Sequence, residues 1–525
     1  MKRLVLYPFF LAAAPVLALY ADNVQELLPG DLVRPLAAAL LLAALAMLAT
    51  WPLVKKLGKT GLPALCALGF VFAFGPAVSL MPSVRMRFFL PAWGLLWGGG
   101  YVFAVIRLRR TTRSLAGLTG ALNLLAAGVA LAPLLMRAPQ LFQPPPAVSG
   151  PTAALAPTTV PAGASLPDVY YIILDAYSRQ DVLASRFGFD NSPFVNALRE
   201  RGFFVGDRGH ANYMHTHLSL SATLNMEYLD EYLKRLGPVG ESQEGWRQAS
   251  QFFQPAITNC RVRRELEARG YRTVGLGTAY NITRGFNARA GWLSTGLTEF
   301  EMVLLRQSVL AVVMERVSVD LAPHDLHRDR VKYVLSHLPR VARQEGRKFV
   351  VAHLVCPHRP FVFYADGSDR PADDRFSNLL WWEEALEVDG YEDWYREAYP
   401  EQIEGLNHLV LDAVDGILAG SQHPPVIIIQ GDHGSALGLR VDPNQCDVTA
   451  RLGVLNAIYL PGVDPASLDP AMSSVNTFRV VFSRCFGMDL PSLENKAYHS
   501  GMGLTLTDVT QRVLAGTAGQ EPPAP

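Results

Sequence analysis

The sequence predicts an α/β chain in two parts: an N-terminal domain of five transmembrane helices and an outer domain built on a mostly parallel sheet. Three observations predict it. Residues 1–137 hold long apolar runs with few acids. A stretch rich in Pro, Ala, Thr and Ser follows over 138–167. From 168 to 525, continuous β-branched and aromatic runs ending near acids or histidines alternate with helix-like stretches.

The five apolar segments are Leu4–Ala21, Pro35–Val54, Leu62–Met81, Phe88–Ile106 and Leu115–Met136. Each has about the length that crosses ~30 Å of hydrocarbon as a helix. A cleaved signal peptide accounts for the first alone, not for the four that follow. The loops between them sort by charge. Lys2 and Arg3, then Lys55, Lys56 and Lys59, then Arg107, Arg109, Arg110 and Arg113 alternate with loops that are acidic or weakly basic. Basic loops stay in the cytoplasm. The expectation is therefore a multi-pass protein of the inner (plasma) membrane, with a cytoplasmic N-terminus and everything after Met136 periplasmic or extracellular. Glycines at 98–100, 117, 120 and 128 offer close helix packing. No Asp, Glu, Lys or His interrupts the apolar cores, so anchoring is the expected role.

The 138–167 stretch cannot build a core and reads as an extended linker. The whole chain balances 47 basic against 47 acidic residues, and no nucleic-acid partner is expected. Five cysteines without a CxxC argue against a thiol-ligated zinc site; one or two disulfides or separate buried thiols both fit their spacing.

The outer domain opens on Asp168-Val169-Tyr170-Tyr171-Ile172-Ile173-Leu174-Asp175, a run suited to a strand buried on both faces. Lys348–Val355 is a second such run and leads to Cys356-Pro357-His358-Arg359-Pro360-Phe361. A third, Pro425–Gln430, leads to Gly431-Asp432-His433-Gly434. Open α/β sheets bind ligands at the carboxyl ends of their strands. Asp175, His358, Asp432 and His433 are thus expected together at one rim. Asn212–Met226 carries Thr216 into a helix-like stretch of small residues. A hydroxyl at a helix N-terminus meets a positive dipole end that favours phosphate.

In their order, these pieces resemble the alkaline phosphatase and sulfatase superfamily: an acid after the first strand, a hydroxyl about forty residues on, Pro-His-x-Pro later, and Asp-His-Gly after a late strand. With membrane helices in front, the resemblance is to lipoteichoic acid synthases and lipid A phosphoethanolamine transferases. It implies one divalent metal ion held by Asp175, Thr216, Asp432 and His433. Zinc or manganese suits that donor set first, with magnesium or calcium as alternatives. It also implies Thr216 as nucleophile, forming a covalent phospho-enzyme, and His358 facing the phosphate or the leaving group. Ser219 and Ser221 are the fallback nucleophiles. The sulfatase Cys-x-Pro-x-Arg pattern is absent, since Thr216-His217-Leu218-Ser219-Leu220 stands in its place. Formylglycine chemistry is therefore excluded.

His215, His217, Arg179 and His353 are further candidates for contacting substrate; a core position suits His353 better. His499 lies in a segment that would close over the site. The function expected is transfer of a phospholipid headgroup onto an envelope glycan or lipid, with the membrane itself a partner. The alternatives are a phosphatase, phosphodiesterase or sulfatase-type hydrolase of an envelope substrate, and a non-catalytic relative of the fold. The loops within Gly240–Phe300 carry no motif that names a headgroup.

Overall fold

A computed structural model of the chain describes residues 4–23, 27, 29–81, 85–138, 166–240, 242–277, 281–287, 297–316, 323–372, 388–501 and 503–515. The linker expected over 138–167 lies outside the described residues except at its two ends. The chain divides into two compact units, one of residues 1–144 and 291–321, the other of 145–290 and 322–525.

In the first unit, three helices are long and apolar enough to cross a membrane: Gly30–Val54, Met86–Arg110 and Ala116–Met136. The third expected segment is two helices, Gly61–Phe72 and Phe74–Leu80, bent by 54° at their junction. The cause is local. Pro76 has no N–H to give the preceding turn, and the Gly75 N–H bonds the Gln307 carbonyl at 2.9 Å instead. The first segment forms Tyr7–Asp22, at 16 residues shorter than the others. The five-span expectation thus becomes three clear spans, or four if the bent pair counts as one. Leucines such as Leu95 and Leu124 point outward on these helices, 78% exposed, as lipid-facing side chains do.

Polar side chains tie the helix ends. Asn123 accepts from the N–H groups of Leu6 and Tyr7 at 3.0 and 2.9 Å and donates to the Leu4 carbonyl, capping the first helix from a distant one. Lys59 bonds the Thr111 carbonyl. Of the glycines singled out in the sequence, Gly98, Gly99, Gly117 and Gly128 face open space, and a Cβ at Gly100 would make an ordinary contact with the Cys66 Sγ at 3.6 Å. Gly69 packs closely, since a Cβ there would meet the Trp97 ring at 2.3 Å.

Residues 297–316 belong to this unit although they fall within the expected catalytic half. Their helices, Glu299–Arg306 and Leu310–Arg316, carry Phe300 and Val309 into apolar clusters. Phe300 packs with Val16, Tyr20 and Ala39, and Val309 with Phe74, Phe89 and Trp93. Glu301 pairs with Arg34 at 3.2 Å. Periodicity could not reveal this, because these short helices pattern like helices of a soluble core.

The second unit is built on a six-stranded sheet: β1 (Val169–Leu174), β2 (Phe204–Val205), β3 (Arg272–Gly277), β4 (Lys348–Leu354), β5 (Val426–Gln430) and β6 (Asn456–Tyr459), in the order β2-β6-β5-β1-β4-β3. Strands β3, β4, β1 and β5 are parallel, while β6 and β2 add on antiparallel. β1 lies between β4 and β5 and is buried throughout. Its alternation serves two cores. Tyr170, Ile172 and Leu174 join one beneath the helices Pro323–Ala342 and Tyr391–Gly420. Val169, Tyr171 and Ile173 join the other, with Leu220 and Phe482 from the helices Thr216–Asn225 and Thr477–Phe486. Helices thus cover both faces, the arrangement that demands unbroken apolar strands. The parallel strands end at one rim, which receives Asp175, the Pro357-His358-Arg359-Pro360 loop and Asp432-His433. A two-stranded hairpin, β7 (Tyr498–Ser500) and β8 (Leu506–Asp508), stands apart from this sheet.

Candidate metal and phosphoryl-transfer site

Asp175 follows β1 and Asp432 follows β5 by two residues, so neighbouring parallel strands deliver two carboxylates to one place. Ligand atoms of Asp175, Asp432 and His433 all lie within 4.8 Å of one another. The His433 Nε2 is 3.5 Å from the Asp175 Oδ1 and 3.4 Å from the Asp432 Oδ2. The Thr216 hydroxyl lies 3.2 Å from the same Nε2. Thr216 is the first residue of its helix. Four residues that span more than 250 positions therefore meet at the rim.

Backbone conformation fixes these groups. Ala176 adopts φ +65°, a left-handed conformation that costs a non-glycine residue roughly 1–2 kcal/mol. It turns the Ala176 N–H onto the Asp432 Oδ1 at 3.1 Å. Strain of this kind persists where the surroundings over-determine it. Here the Tyr399 hydroxyl donates to the Ala176 carbonyl at 2.5 Å and meets the Ser178 hydroxyl at 3.0 Å. The glycine of Asp-His-Gly has a steric reason, since a Cβ at Gly434 would sit 2.1 Å from the Ala450 carbonyl oxygen.

The electrostatics call for a cation. His433 is buried, and desolvation, then the nearby Arg451 and His358, hold its pKa well below the usual value. The ring is therefore neutral. Its Nδ1–H donates to the Gly434 carbonyl at 3.0 Å, which leaves the Nε2 lone pair facing the two carboxylates. Burial and then the Asp432 charge raise Asp175 to about 7, with His358 and Arg451 offsetting part of that. The Asp175 Oδ1 and Asp432 Oδ2 are buried without a hydrogen-bond donor. Two acceptor oxygens and an acceptor nitrogen converging in a dry place, beside a hydroxyl, fit a divalent cation.

The other sequence candidates fall into distinct places. His358 is half-buried, its N–H on the Asp175 carbonyl at 2.9 Å and its Nδ1–H on the Arg359 carbonyl at 2.7 Å. His353 sits behind Asp175, Nε2 at 3.5 Å from the Oδ2, with Nδ1 at 2.9 Å from the Thr283 hydroxyl. It is placed to orient the carboxylate rather than to meet substrate. Burial pushes it down to about 4. His215 donates from Nε2 to the Ser500 carbonyl at 3.0 Å. His217 is enclosed by Trp246 and Phe253, ring centroids 4.4 and 5.8 Å away, and burial pushes it down to about 3. Its ring is thus part of an apolar wall. Arg179 forms a clamp within the fold: its guanidinium is bidentate to Asp181 at 2.6 and 2.8 Å and also donates to the Gly209 carbonyl. Of the fallback hydroxyls, Ser221 bonds the His217 carbonyl and Ser219 is buried without a partner. Thr216 is the one whose hydroxyl meets the His433 Nε2. The five cysteines are free thiols.

Four supporting residues carried no signal in the sequence. Arg451, buried, donates from Nε to the Met214 carbonyl at 2.8 Å and from Nη1 to the Gly434 carbonyl at 2.9 Å. It thus staples the Thr216 loop to the Asp-His-Gly loop. His324 donates to the Phe361 carbonyl at 2.9 Å, and His327 bonds the Val355 backbone. Together they grip the His358 loop from both ends. Tyr498 donates its N–H to the Asn212 carbonyl at 2.9 Å, so the C-terminal hairpin braces the Thr216 loop rather than standing free. His499 itself bonds the Arg440 carbonyl.

The chain is similar in fold to transferase, hydrolase and sulfatase domains. The C-terminal periplasmic domain of EcEptC from Escherichia coli, in complex with Zn, aligns at 12% identity and a TM-score of 0.41, over 68% of this chain and 96% of that one. The phosphonate monoester hydrolase SpPMH from Silicibacter pomeroyi aligns at 14% and 0.41, over 62% and 74%. The putative sulfatase yidJ from Bacteroides fragilis aligns at 13% and 0.39, over 68% and 79%. No protein-family model and no curated protein matches the sequence. At these identities, the chemistry of the site is read from its own side chains.

Proposed function

We propose that this protein is a membrane-anchored phospho-group transferase, working outside the cytoplasm with one divalent cation and Thr216 as nucleophile. The observation that carries the reading is the convergence of two donor-less carboxylate oxygens and the neutral His433 Nε2 beside the Thr216 hydroxyl. Asp175, Asp432, His433 and Thr216 would hold the cation. When bound, it lowers the pKa of a ligated hydroxyl and neutralises charge on a phosphate ester. The Thr216 hydroxyl would give up its proton to water as its oxygen attacks phosphorus, the bond to the leaving oxygen breaks, and the phospho group waits on Thr216 for an acceptor. His358, half-buried on the loop that bonds Asp175, would supply the proton that the leaving oxygen takes up.

The donor in this reading is a phospholipid headgroup, and the acceptor an envelope glycan or lipid. The loop charges favour a cytoplasmic N-terminus and an outer domain beyond the membrane, which requires the short helix Tyr7–Asp22 and the bent pair to complete the passes. The pairing of Lys59 with Thr111, and of Asn123 with Leu4, supports it by bringing the basic ends together. A tether near the bilayer raises the effective concentration of a lipid donor. The hydrolase alternative differs only in the acceptor, water in place of a hydroxyl.

The test incubates the full-length chain, in detergent with zinc, with mixed phospholipids. Mass spectrometry should find a phospho-headgroup adduct on the peptide holding Thr216, absent from Thr216→Ala. Release of that adduct by water alone would favour the hydrolase. Failure to bind zinc, or an adduct that survives in Thr216→Ala, would remove the proposal.

A further inference from the structure

Three arginines near the rim are almost wholly buried, and two are accounted for. Arg179 is held by Asp181 and the Gly209 carbonyl, and Arg451 by the Met214 and Gly434 carbonyls. Arg359 is 9% exposed, yet its guanidinium makes no hydrogen bond and no ion pair among the described residues. Its Nη1 is fully shielded. The Tyr391 ring, its centroid 5.7 Å away, is the contact that favours the charge. Such a contact returns less than an unpaired buried charge costs. A guanidinium is the side chain suited to a phosphoryl or carboxylate oxyanion, because its fork of donors matches their geometry.

Its place in the chain says which anion. Arg359 follows His358, whose N–H bonds the Asp175 carbonyl and whose Nδ1–H bonds the Arg359 carbonyl. The loop that carries Arg359 is therefore fastened by its backbone to the cation site, and the Arg359 charge acts on Tyr395, whose hydroxyl lies 3.4 Å from that of Ser435, the residue after Asp-His-Gly. We infer that Arg359 is the receptor for a phosphoryl oxyanion of the substrate, selecting phosphate esters that keep a free negative oxygen. This rests on the phospho-group reading above and adds a specificity-determining residue to it.

The experiment is calorimetric titration of the zinc-loaded, full-length chain in detergent. Two probes are used, inorganic phosphate and glycerophosphoethanolamine, a soluble phosphodiester. Arg359→Met should weaken phosphate by about 10- to 100-fold, the loss expected when a charged hydrogen-bonding partner is removed. Arg359→Lys, which keeps the charge but not the fork, should fall between. A matching loss for the diester supports Arg359 as receptor for the phosphoryl group shared by both probes; a loss for the diester alone overturns the inference. Thermal unfolding without zinc or phosphate separates this from a structural role. Arg359→Met should unfold at the same or a higher temperature, since it removes an unpaired charge, and zinc affinity should not change. Unchanged affinity for both probes in Arg359→Met overturns the inference and leaves the Thr216 reading standing. So does a lowered unfolding temperature with weakened zinc binding, the signature of a structural arginine. A wild-type chain that binds zinc but neither probe overturns both.

Discussion

β1 carries an aspartate beyond each end, and the two have opposite fates. Asp168, before the strand, accepts from the Lys348 ammonium at 2.7 Å and the Lys348 N–H at 2.9 Å. The ammonium also donates to the Gln344 and Gly346 carbonyls. There Asp168 and Lys348 satisfy one another, and the pair fastens β1 to β4. Asp175, after the strand, faces a second carboxylate and the lone pair of His433, with no donor for its Oδ1. The same residue type on one strand is a rivet at one rim and an unsatisfied ligand at the other. What separates them is the neighbouring strand: β4 brings a lysine to the first rim, and β5 brings another acid to the second.

The sharpest way to break this comparison is to neutralise one acid at each rim. Asp432→Asn should leave zinc binding undetectable by calorimetry and abolish the Thr216 adduct, a loss exceeding the roughly 100-fold upper end for outer-shell partners. Asp168→Asn should bind zinc as the wild type does. Equal zinc affinity in both variants would end the distinction.

The next largest effect belongs to the rim of the Asp168–Lys348 pair. Lys348→Met strands a carboxylate and should cost roughly 3–5 kcal/mol in urea unfolding of the detergent-solubilised chain. The double variant Asp168→Leu with Lys348→Met should recover most of it. A single variant as stable as wild type would show that the pair holds little.

The Asp175 rim should respond to pH where the other does not. Asp175 sits at about 7 in the folded, metal-free protein, above its ordinary value of 3.8. Between these values, the folded state holds more protons than the unfolded state, so metal-free stability falls as pH rises from about 4 to about 7. Zinc needs the ionised carboxylate. The rise in melting temperature on adding zinc should therefore be larger at pH 8 than at pH 5. Asp175→Asn should flatten the metal-free profile over that window, and an unchanged profile would count against Asp175 as its source.

The smallest effect tests the strain beside the ligand. Ala176→Gly relieves a left-handed conformation worth about 1–2 kcal/mol but adds freedom to the unfolded chain worth about 0.4–1 kcal/mol. Its net change should stay within about 1 kcal/mol, with zinc affinity kept. Ala176→Val should lose stability, since a β-branched residue tolerates that conformation worst. Equal stability of the two variants would show that the backbone at 176 is not held as described.

Local sequence determined a good deal of this protein by itself. Unbroken apolar strands can only be covered on both faces, so Val169–Leu174, Lys348–Leu354 and Val426–Gln430 announced a central sheet. Parallel strands share a carboxyl rim, so Asp175, His358, Asp432 and His433 were expected together, and Thr216 was placed at a helix start by the small residues after it. What only the tertiary structure decided were relations between residues far apart in the chain, which no local pattern encodes. They include the partner of Asp168, 180 positions away; the carbonyls that Arg451 staples; the grip of His324 and His327 on the His358 loop; and the packing of residues 297–316 with the first unit. Arginines 179, 359 and 451 look alike in the sequence. Folding gave two of them carbonyl or carboxylate partners and left the third without one among the described residues, because burial and pairing are properties of what surrounds a side chain rather than of the side chain itself.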